Sequence, residues 1–211
     1  RKNEDSNMWK LIETLTLGLI PAFLLLDLAL GARRFKTPRF WRAYALAVTL
    51  VTLSISIGTA VFWGNVFESF TLLNGEGLGI FWGTLVGVLV YELLHYGYHR
   101  LAHKSDFLWR FGHQMHHAPE SLDAFGALYS HPVDTFFFGT LSSFVFFPLL
   151  GLRIEAGVLG ALFLTFNAMF QHANIKTPKW LGYFVQRPES HGIHHRRGVH
   201  AYNYSDLPLW D

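Results

Sequence analysis

Five apolar stretches, each about long enough to cross a lipid bilayer, dominate this chain of 211 residues. A backbone in hydrocarbon must satisfy its own hydrogen bonds, so apolar stretches of roughly 17 to 25 residues are expected to form helices. The sequence therefore predicts an all-α, multi-pass membrane bundle of about four to five helices. The stretches run from Leu11 to Leu30, Tyr44 to Trp63, Ile80 to His95, Asp134 to Leu150 and Ile154 to Phe170.

Composition agrees with a membrane protein and excludes several kinds of site. Apolar residues make up 51% of the chain and charged residues only 15%, a balance that favours a bilayer over water as the surrounding medium. Because the chain has no cysteine, it can have no disulfide, no thiolate zinc site, no protein-ligated iron–sulfur cluster and no cysteine nucleophile. A net charge of +2, without a concentrated Lys/Arg stripe, argues against a nucleic-acid partner.

The first apolar stretch is the least regular, because it contains Pro21 and two acidic residues, Glu13 and Asp27. Charges are costly in lipid unless they face protein, water or the interface. We interpret the stretch as a membrane anchor rather than a signal peptide, since it is as long as a bilayer span and lacks a small-residue cleavage site. The chain begins with Arg instead of Met and stops at Trp210-Asp211, so we expect a fragment or a trimmed product.

Charge in the loops predicts the orientation of the bundle. The loop at 64–79 contains Glu68 and Glu76 but no Lys or Arg. The preceding loop is strongly basic, and the positive-inside rule places it in the cytoplasm. We favour topology and attraction to anionic lipid as its role over docking of a partner protein. The third span then returns to the cytoplasm, and the last two form a hairpin that goes out and comes back. The basic residues are Arg33, Arg34, Lys36, Arg39 and Arg42.

All twelve histidines lie between His95 and His200. Neutral imidazole is the commonest protein ligand of iron, zinc and copper, and a four-coordinate site needs only three or four, so nine clustered histidines indicate two metals. Spacing supports this interpretation, because residues four apart share a helical face and the HxxHH pattern aims several rings at one point. Eight histidines fall in three boxes: His99-Arg-Leu-Ala-His103, His113-Gln-Met-His116-His117 and His191-Gly-Ile-His194-His195.

The remaining histidines are assigned individually. His172 ends the predicted hairpin on the side of the boxes, and we interpret it as a ligand rather than a cation at a helix end. We expect His95, one turn deeper in the membrane, to be a satisfied helix histidine. For His131, before Pro132, a role as a tenth ligand and a role as a hydrogen-bond donor to a ligand both stay open. His200 is expected to lie outside the site. The predicted topology puts His172 and all three boxes on the cytoplasmic side.

These boxes, together with Phe166-Asn through His172 and Asn203-Tyr204 through Trp210-Asp211, resemble the fatty acid hydroxylase/sterol desaturase superfamily from about residue 91 to the end. That family comprises membrane-bound, non-haem di-iron enzymes that use dioxygen to hydroxylate or desaturate lipids such as fatty acids, sterols, alkylglycerols and carotenoids. The resemblance implies two iron ions and these ligands: His99, His103, His113, His116, His117, His172, His191, His194 and His195.

The resemblance also implies partners. Dioxygen is the co-substrate, and a lipid is expected to reach the metals through a slot that opens from the bilayer. Electrons must come from a separate reductase, ferredoxin or b-type cytochrome, because the chain has neither a dinucleotide-binding pattern nor cysteines for a cluster. No catalytic residue is expected beyond the metal ligands. Side chains that we expect to fix imidazole tautomers are Glu92, Asp134, Glu189 and Asn203.

The expected location is a bacterial inner membrane or, in a eukaryote, the endoplasmic reticulum, with the active site facing the cytoplasm. Residues 1–90 would provide membrane helices and the basic loop, and residues 91–211 the histidine-box region, within one structural unit. Two other functions stay open. A zinc-dependent membrane hydrolase, in which Glu189 activates water, needs fewer than nine imidazoles. A non-catalytic metal or haem carrier predicts histidines spread across the bilayer, whereas here they cluster on one side.

Overall fold

The computed structural model describes residues 2–68, 70–199 and 201–211, with side chains from residue 7 onward. The described part is built from helices and contains no strand. Short 3-10 turns at Glu76–Leu78, His113–Met115 and Lys179–Tyr183 and one π-helical turn at Val145–Leu149 lie between or beside the α-helices. The α-helices are α1 (Lys2–Leu30), α2 (Trp41–Val66), α3 (Gly79–Lys104), α4 (Asp106–Phe111), α5 (Pro132–Phe144), α6 (Ile154–His172) and α7 (Pro188–His194).

Five helices in the described part are long and apolar enough to cross a membrane: α1, α2, α3, α6, and α5 with its π-helical continuation. The predicted all-α, multi-pass architecture is therefore confirmed. The outward faces of these helices are rich in large apolar side chains such as Leu17, Leu50 and Phe81, which would be poorly solvated in water but match lipid chains. Helix α3 is continuous across residues 90 and 91, where we placed the division between the two regions.

The spanning helices pack in pairs that leave a space between them. Helix α2 packs along α5, α3 packs along α6, and α1 packs against the outer side of α6. The buried core between α3 and α6 is formed around Tyr91, Phe146 and Ala156. The fourth span departs from our prediction near its end, because the α-helix α5 stops at Phe144 and a π-helical turn containing Pro148 replaces the last turns.

The end of the bundle remote from the histidines is closed by backbone contacts. The N–H groups of Leu72 and Leu73 donate to the carbonyls of Pro148 and Leu149 at 2.7 and 3.0 Å. Gly151 then turns the chain into α6 with φ of 60°. A Cβ atom there would lie 2.3 Å from the carbonyl oxygen of Leu73, so this position requires glycine for both its conformation and its space.

At the opposite end of the bundle, α3 and α6 finish and α5 begins. Helix α1 is attached to this end by the side chain of Asp27. This carboxylate is only 8% exposed and accepts hydrogen bonds from the backbone N–H groups of Ala124 and Asn174. The Asn174 side chain in turn accepts from the N–H of Arg33 at 3.0 Å and donates to its carbonyl at 2.8 Å. The buried Asp27 carboxylate in the first span is therefore stabilised by two backbone donors. The contacts of Arg33 place the basic loop at the histidine end of the bundle.

We predict that Asp27→Ala destabilises the protein by about 2 to 4 kcal/mol, because two buried N–H groups lose a charged acceptor. The measurement is thermal unfolding in detergent. Glu13→Ala is the matched control, since Glu13 is an exposed acidic residue of the same helix. Equal unfolding temperatures for the two variants would show that the Asp27 contacts are dispensable.

Candidate metal centre

Four segments bring the histidines together. Helix α3 presents His99 and His103 one turn apart on one face. Helix α4 follows directly, with its N-terminus capped by the Ser105 hydroxyl, which accepts from the N–H of Leu108. It leads into the 3-10 turn that begins at His113. Helix α6 ends at His172, and α7 carries the last box.

The nine histidines that we predicted as ligands lie in two adjoining clusters. In each cluster the potential ligand nitrogens all lie within 4.8 Å of one another. A metal that binds imidazole at about 2.1 Å places opposite nitrogens about 4.2 Å apart, so this spacing is close to that of a metal site. Cluster A contains His99, His103, His113, His117 and His194, and cluster B contains His116, His172, His191 and His195.

Hydrogen bonds at the outer nitrogens determine which ring nitrogens can bind a metal. The Nδ1–H of His99 donates to the Tyr204 carbonyl at 2.9 Å, and that of His194 donates to the Tyr202 carbonyl at 2.7 Å. In cluster B, the Nδ1–H of His172 donates to the carbonyl of Ala168 in the preceding turn at 2.7 Å. A carbonyl can only accept, so in these neutral rings Nδ1 has the proton and Nε2 has a lone pair.

The inner ring nitrogens of cluster A lie at distances from one another that suit ligands of a shared cation. Asp134 accepts from Nδ1–H of His113 at 2.9 Å, so in the neutral His113 ring Nε2 is also bare, and this atom lies 2.9 Å from Nε2 of His99. Two lone pairs cannot form a hydrogen bond and repel each other at this distance. A metal between them would turn the repulsion into coordination. The buried, all-imidazole donor set fits iron, zinc or copper.

Cluster B is arranged in the same way around His172. The Nε2 atom of His172 lies 3.2 Å from those of His116 and His195 and 3.3 Å from that of His191. The two clusters touch, because the ring of His117 in cluster A stacks on that of His195 in cluster B with 4.1 Å between centroids. Two metals bound here would be neighbours.

Electrostatics keep the histidines that lie outside the spanning helices in the form that binds metal. Burial, followed by the neighbouring imidazoles, lowers the pKa of His116, His117, His191 and His195 well below the usual value for histidine. Removing water disfavours the charged ring, and adjacent rings cannot all be protonated. These four rings are therefore neutral at physiological pH.

Aromatic side chains surround the histidine rings. Trp109 of α4 lies 5.2 Å from His103 and 5.3 Å from His117, measured between ring centroids. On the membrane side, the Phe138 ring contacts His99 and His113. Such rings exclude water from the centre without competing for metal.

The segment after α7 has strained backbone. Tyr202 and Asn203 both have positive φ, at 64° and 55°, a conformation that costs residues other than glycine of order 1 kcal/mol or more. The first of these residues, Tyr202, and the residue that follows the pair, Tyr204, provide the carbonyls that accept from His194 and His99. The strain therefore positions two acceptors of cluster A.

The side chains that we predicted to orient the imidazoles occupy different places. Asp134 contacts His113 directly. Asn203 instead donates to the Ser190 carbonyl at 3.2 Å, beside the third box. Glu189 accepts from the N–H and hydroxyl of Thr177, both at 2.7 Å, and pairs with Arg187, so it fixes the loop before α7.

Glu92 belongs to a separate buried group with His95 and Asp206, neither of which is in the histidine clusters. It accepts from the Ser205 hydroxyl and from the N–H of Asp206, both at 2.8 Å. Burial, together with the charge of Glu92, raises the pKa of Asp206 to about 7. His95 lies 3.6 Å from a Glu92 oxygen and stacks on His99, so it adjoins cluster A without belonging to it.

The structure does not bring His131 into either cluster. Its Nδ1 accepts from the N–H of Val133 at 3.2 Å and so caps the N-terminus of α5. His200 lies outside the described residues. Sequence reasoning missed Asp206, Trp109 and Tyr204 as parts of the centre. Trp109 carried a signal as an aromatic residue between two boxes, and Tyr204 and Asp206 lie in the C-terminal segment that contributes to the family resemblance.

A cavity of about 420 Å³ adjoins the metal centre and extends into the membrane-spanning part of the bundle. Both clusters contribute to its wall, through His99 and His113 of cluster A and His116, His172 and His191 of cluster B. The other walls are formed by α2, α5 and α6. A molecule in this cavity would therefore contact the centre at one end and apolar helices at the other.

Fold and site together define a multi-pass membrane protein with two adjoining all-histidine clusters at one end of its bundle. The chain belongs to the fatty acid hydroxylase family, whose model matches residues 84–211, more than half of the sequence. The resemblance seen in the histidine boxes is thereby confirmed. No solved structure matches the chain.

Three relatives illustrate the range of the family. A very-long-chain aldehyde decarbonylase of Oryza sativa is 30% identical over 135 residues, covering 60% of this chain and 51% of that protein. Sphinganine C4-monooxygenase 1 of Arabidopsis thaliana is 28% identical over 131 residues, covering 60% and 51%. Alkylglycerol monooxygenase of Homo sapiens is 28% identical over 155 residues, covering 69% and 33%. The chain spans about half the length of the first two.

We predict that Asp134→Asn weakens metal binding about 10-fold or more, because the neutral amide holds the His113 ring less firmly and makes it a poorer donor. The measurement is metal titration against a competing chelator. Glu155→Gln serves as control, since Glu155 is in the first turn of α6, at the end remote from the histidines. Unchanged affinity in Asp134→Asn would mean that this carboxylate does not support the centre.

Proposed function

We propose that this protein is a membrane-bound di-iron oxygenase that uses dioxygen and external electrons to hydroxylate or desaturate a lipid. The observation that carries the proposal is the pair of adjoining histidine clusters with bare Nε2 atoms facing inward. Two clusters that share a contact surface suit a pair of metals acting on one substrate. Membership of the fatty acid hydroxylase family favours iron over zinc for this pair.

The roles of the residues follow from their contacts. Cluster A would hold one iron and cluster B the other, and the bound irons would supply activation of dioxygen for attack on an unactivated C–H bond. Four of the imidazoles are kept in the Nδ1–H tautomer by Asp134 and by the carbonyls of Tyr202, Tyr204 and Ala168. These rings are His113, His194, His99 and His172. Trp109 and its aromatic neighbours exclude water, which keeps the oxidising equivalents for the substrate.

A lipid substrate is supported by the membrane helices, the cavity and the relatives. The cavity contacts both clusters and continues between apolar helices, so a hydrocarbon chain in it would lie beside the centre. Relatives named as sphinganine and alkylglycerol monooxygenases indicate single-chain lipids with hydroxyl groups. These lipids are the first compounds to test as substrates.

Orientation and electron supply complete the proposal. The basic loop is attached to the histidine end through Arg33 and Asn174, which supports a cytoplasmic active site by the positive-inside rule. A reductase, ferredoxin or b-type cytochrome would deliver electrons from that side. The hydrolase alternative is weakened because Glu189, its expected base, is held by Thr177 and Arg187.

The proposal predicts about two iron ions per chain in protein purified anaerobically in detergent. His116→Ala and His194→Ala each remove a ligand from a different cluster, so each should lose iron and abolish oxygen uptake that depends on substrate and a reductant. The measurements are metal analysis and oxygen consumption with sphinganine and with a 1-alkylglycerol.

His131→Ala is the matched control, since His131 lies outside both clusters and should keep its iron and activity. One zinc ion per chain, or no stoichiometric metal, in the unaltered protein would contradict the di-iron proposal. Full iron and oxygen uptake in either cluster variant would contradict the ligand assignment.

A further inference from the structure

The cavity has a polar end beside the metal centre. Gln171 lines it there, and its amide N–H donates to Asp206 at 2.9 Å. Its carbonyl oxygen is buried and has no hydrogen-bond partner among the described residues. The hydroxyl of Thr135, which also lines the cavity, is buried and has no hydrogen-bond partner among the described residues either. A buried polar atom without a partner is costly, so this end is built to receive hydrogen bonds from a guest.

The middle of the cavity contains hydroxyl groups whose hydrogen bonds are already made. The hydroxyl of Thr52 donates to the Leu128 carbonyl at 3.0 Å, and that of Thr165 donates to the Ala161 carbonyl at 2.9 Å. Ser142 likewise donates to the carbonyl of Gly139. These residues present mainly hydrocarbon to the cavity, as do Leu128, Phe138 and Leu164, so this part of it suits an alkyl chain, although the hydroxyls of Ser56, Ser130 and Ser143 also lie on the wall.

The far end opens sideways into the region of lipid. Ile57 and Ala60 of α2 and Ala161 of α6 line the cavity, yet they are exposed on the outer surface of the bundle. At 1.5 Å per residue, the wall extends about 12 Å along α2 from Thr52 to Ala60 and about 16 Å along α6 from His172 to Ala161. The opening therefore lies far from the histidine end, near the middle of the spanning helices.

We propose that the substrate is a single-chain lipid with hydroxyl or amino groups, held with its polar end at Gln171 and Asp206. Its alkyl chain passes between α5 and α6 and leaves into the bilayer at Ile57, Ala60 and Ala161. This orientation rests on the proposed function and adds to it the direction in which the lipid binds and the residues that hold its polar end. The reverse orientation would leave the buried Gln171 oxygen and Thr135 hydroxyl without partners and would place a polar group at an opening into hydrocarbon.

The arrangement fixes which carbon is oxidised. Because the polar end is anchored beside the clusters, the reacting carbon lies a constant number of bonds from that end. Because the chain leaves through an opening, additional methylene groups extend into lipid and do not move the reacting carbon. Oxidation is therefore expected close to the polar group and independent of chain length.

The first test maps the bound chain without requiring turnover. Sphinganine and a 1-alkylglycerol, each with a photoreactive diazirine near the methyl end, are irradiated with the full chain in lipid nanodiscs, with and without iron. The labelled peptides should contain the residues of the opening on α2 and α6. Labelling of the segments at 113–117 or 188–195 would place the methyl end at the clusters and overturn the proposal.

The second test closes the opening. Ile57→Trp should lower kcat/KM at least 5-fold for chains of about 18 carbon atoms and leave chains of about 8 carbon atoms unaffected, because each added methylene needs apolar space. Leu50→Trp is the matched control. Both residues belong to α2 and are similarly exposed, at 65% for Ile57 and 67% for Leu50, but only Ile57 lines the cavity. Equal effects of the two substitutions would overturn the proposed exit.

The position of the new hydroxyl decides the orientation independently. For substrates of different chain length, the number of carbon atoms between the polar end and the new hydroxyl should stay constant. A constant number of carbon atoms between the methyl end and the new hydroxyl would overturn the proposal. Labelling by diazirine is separable from catalysis, since it needs neither iron nor electrons. Protein that labels at the opening but contains no iron would contradict the proposed oxygenase and retain the inferred mode of lipid binding.

Discussion

Repulsion between converging imidazole lone pairs is the constraint on which this structure depends. The neutral rings of His99 and His113 bring bare Nε2 atoms to 2.9 Å from each other, which is unfavourable unless a cation lies between them, so the fold must hold both rings in these directions. The surroundings do so by binding the outer nitrogens. Each Nδ1–H that donates to a carbonyl or to Asp134 fixes both the tautomer and the direction of its ring.

Much of the remaining chain serves the same end of the bundle. Asp27 and Asn174 bind α1 to the last turn of α6, where His172 lies. The strained pair Tyr202 and Asn203 brings the C-terminal segment back over α3 and α7. Local strain and a charge in a spanning helix are unfavourable individually, and both are tolerated because they position or enclose the histidines.

The sequence predicted the helices well because each depends on local composition. Apolar length identified the five spans, and the four-residue spacing of His99 and His103 identified the face of α3 that meets the other boxes. The shortening of α5 at Phe144 was missed, although Pro148 indicated it. The ends of α2 and α6 lie within three residues of prediction, whereas α1 begins nine residues earlier and α3 ends nine residues later than predicted. Polar residues at both of these ends shortened the apolar stretches but not the helices, because caps and tertiary contacts decide where a helix stops.

The division of the histidines between clusters could not be predicted. A box suggests that its members share one metal, yet His116 and His117 belong to different clusters. Their directions depend on a 3-10 turn, whose rotation per residue differs from that of an α-helix. The backbone carbonyls that accept from the imidazoles could not be predicted either, because every residue type has a carbonyl. Asp134 was predictable as a carboxylate near the boxes, whereas Asp206 depends on how the C-terminal segment folds back.

The division of two histidine boxes between the clusters has a consequence for how the centre would bind two metal ions. Neighbouring residues of one short segment serve different clusters, as do His194 and His195 at the end of α7. A first metal that immobilises either segment also restricts the backbone of ligands for the second, so the second ion has less conformational entropy to remove. Uptake of two metal ions by this centre would then be cooperative, and linkage would require each ion to strengthen binding of the other by the same factor.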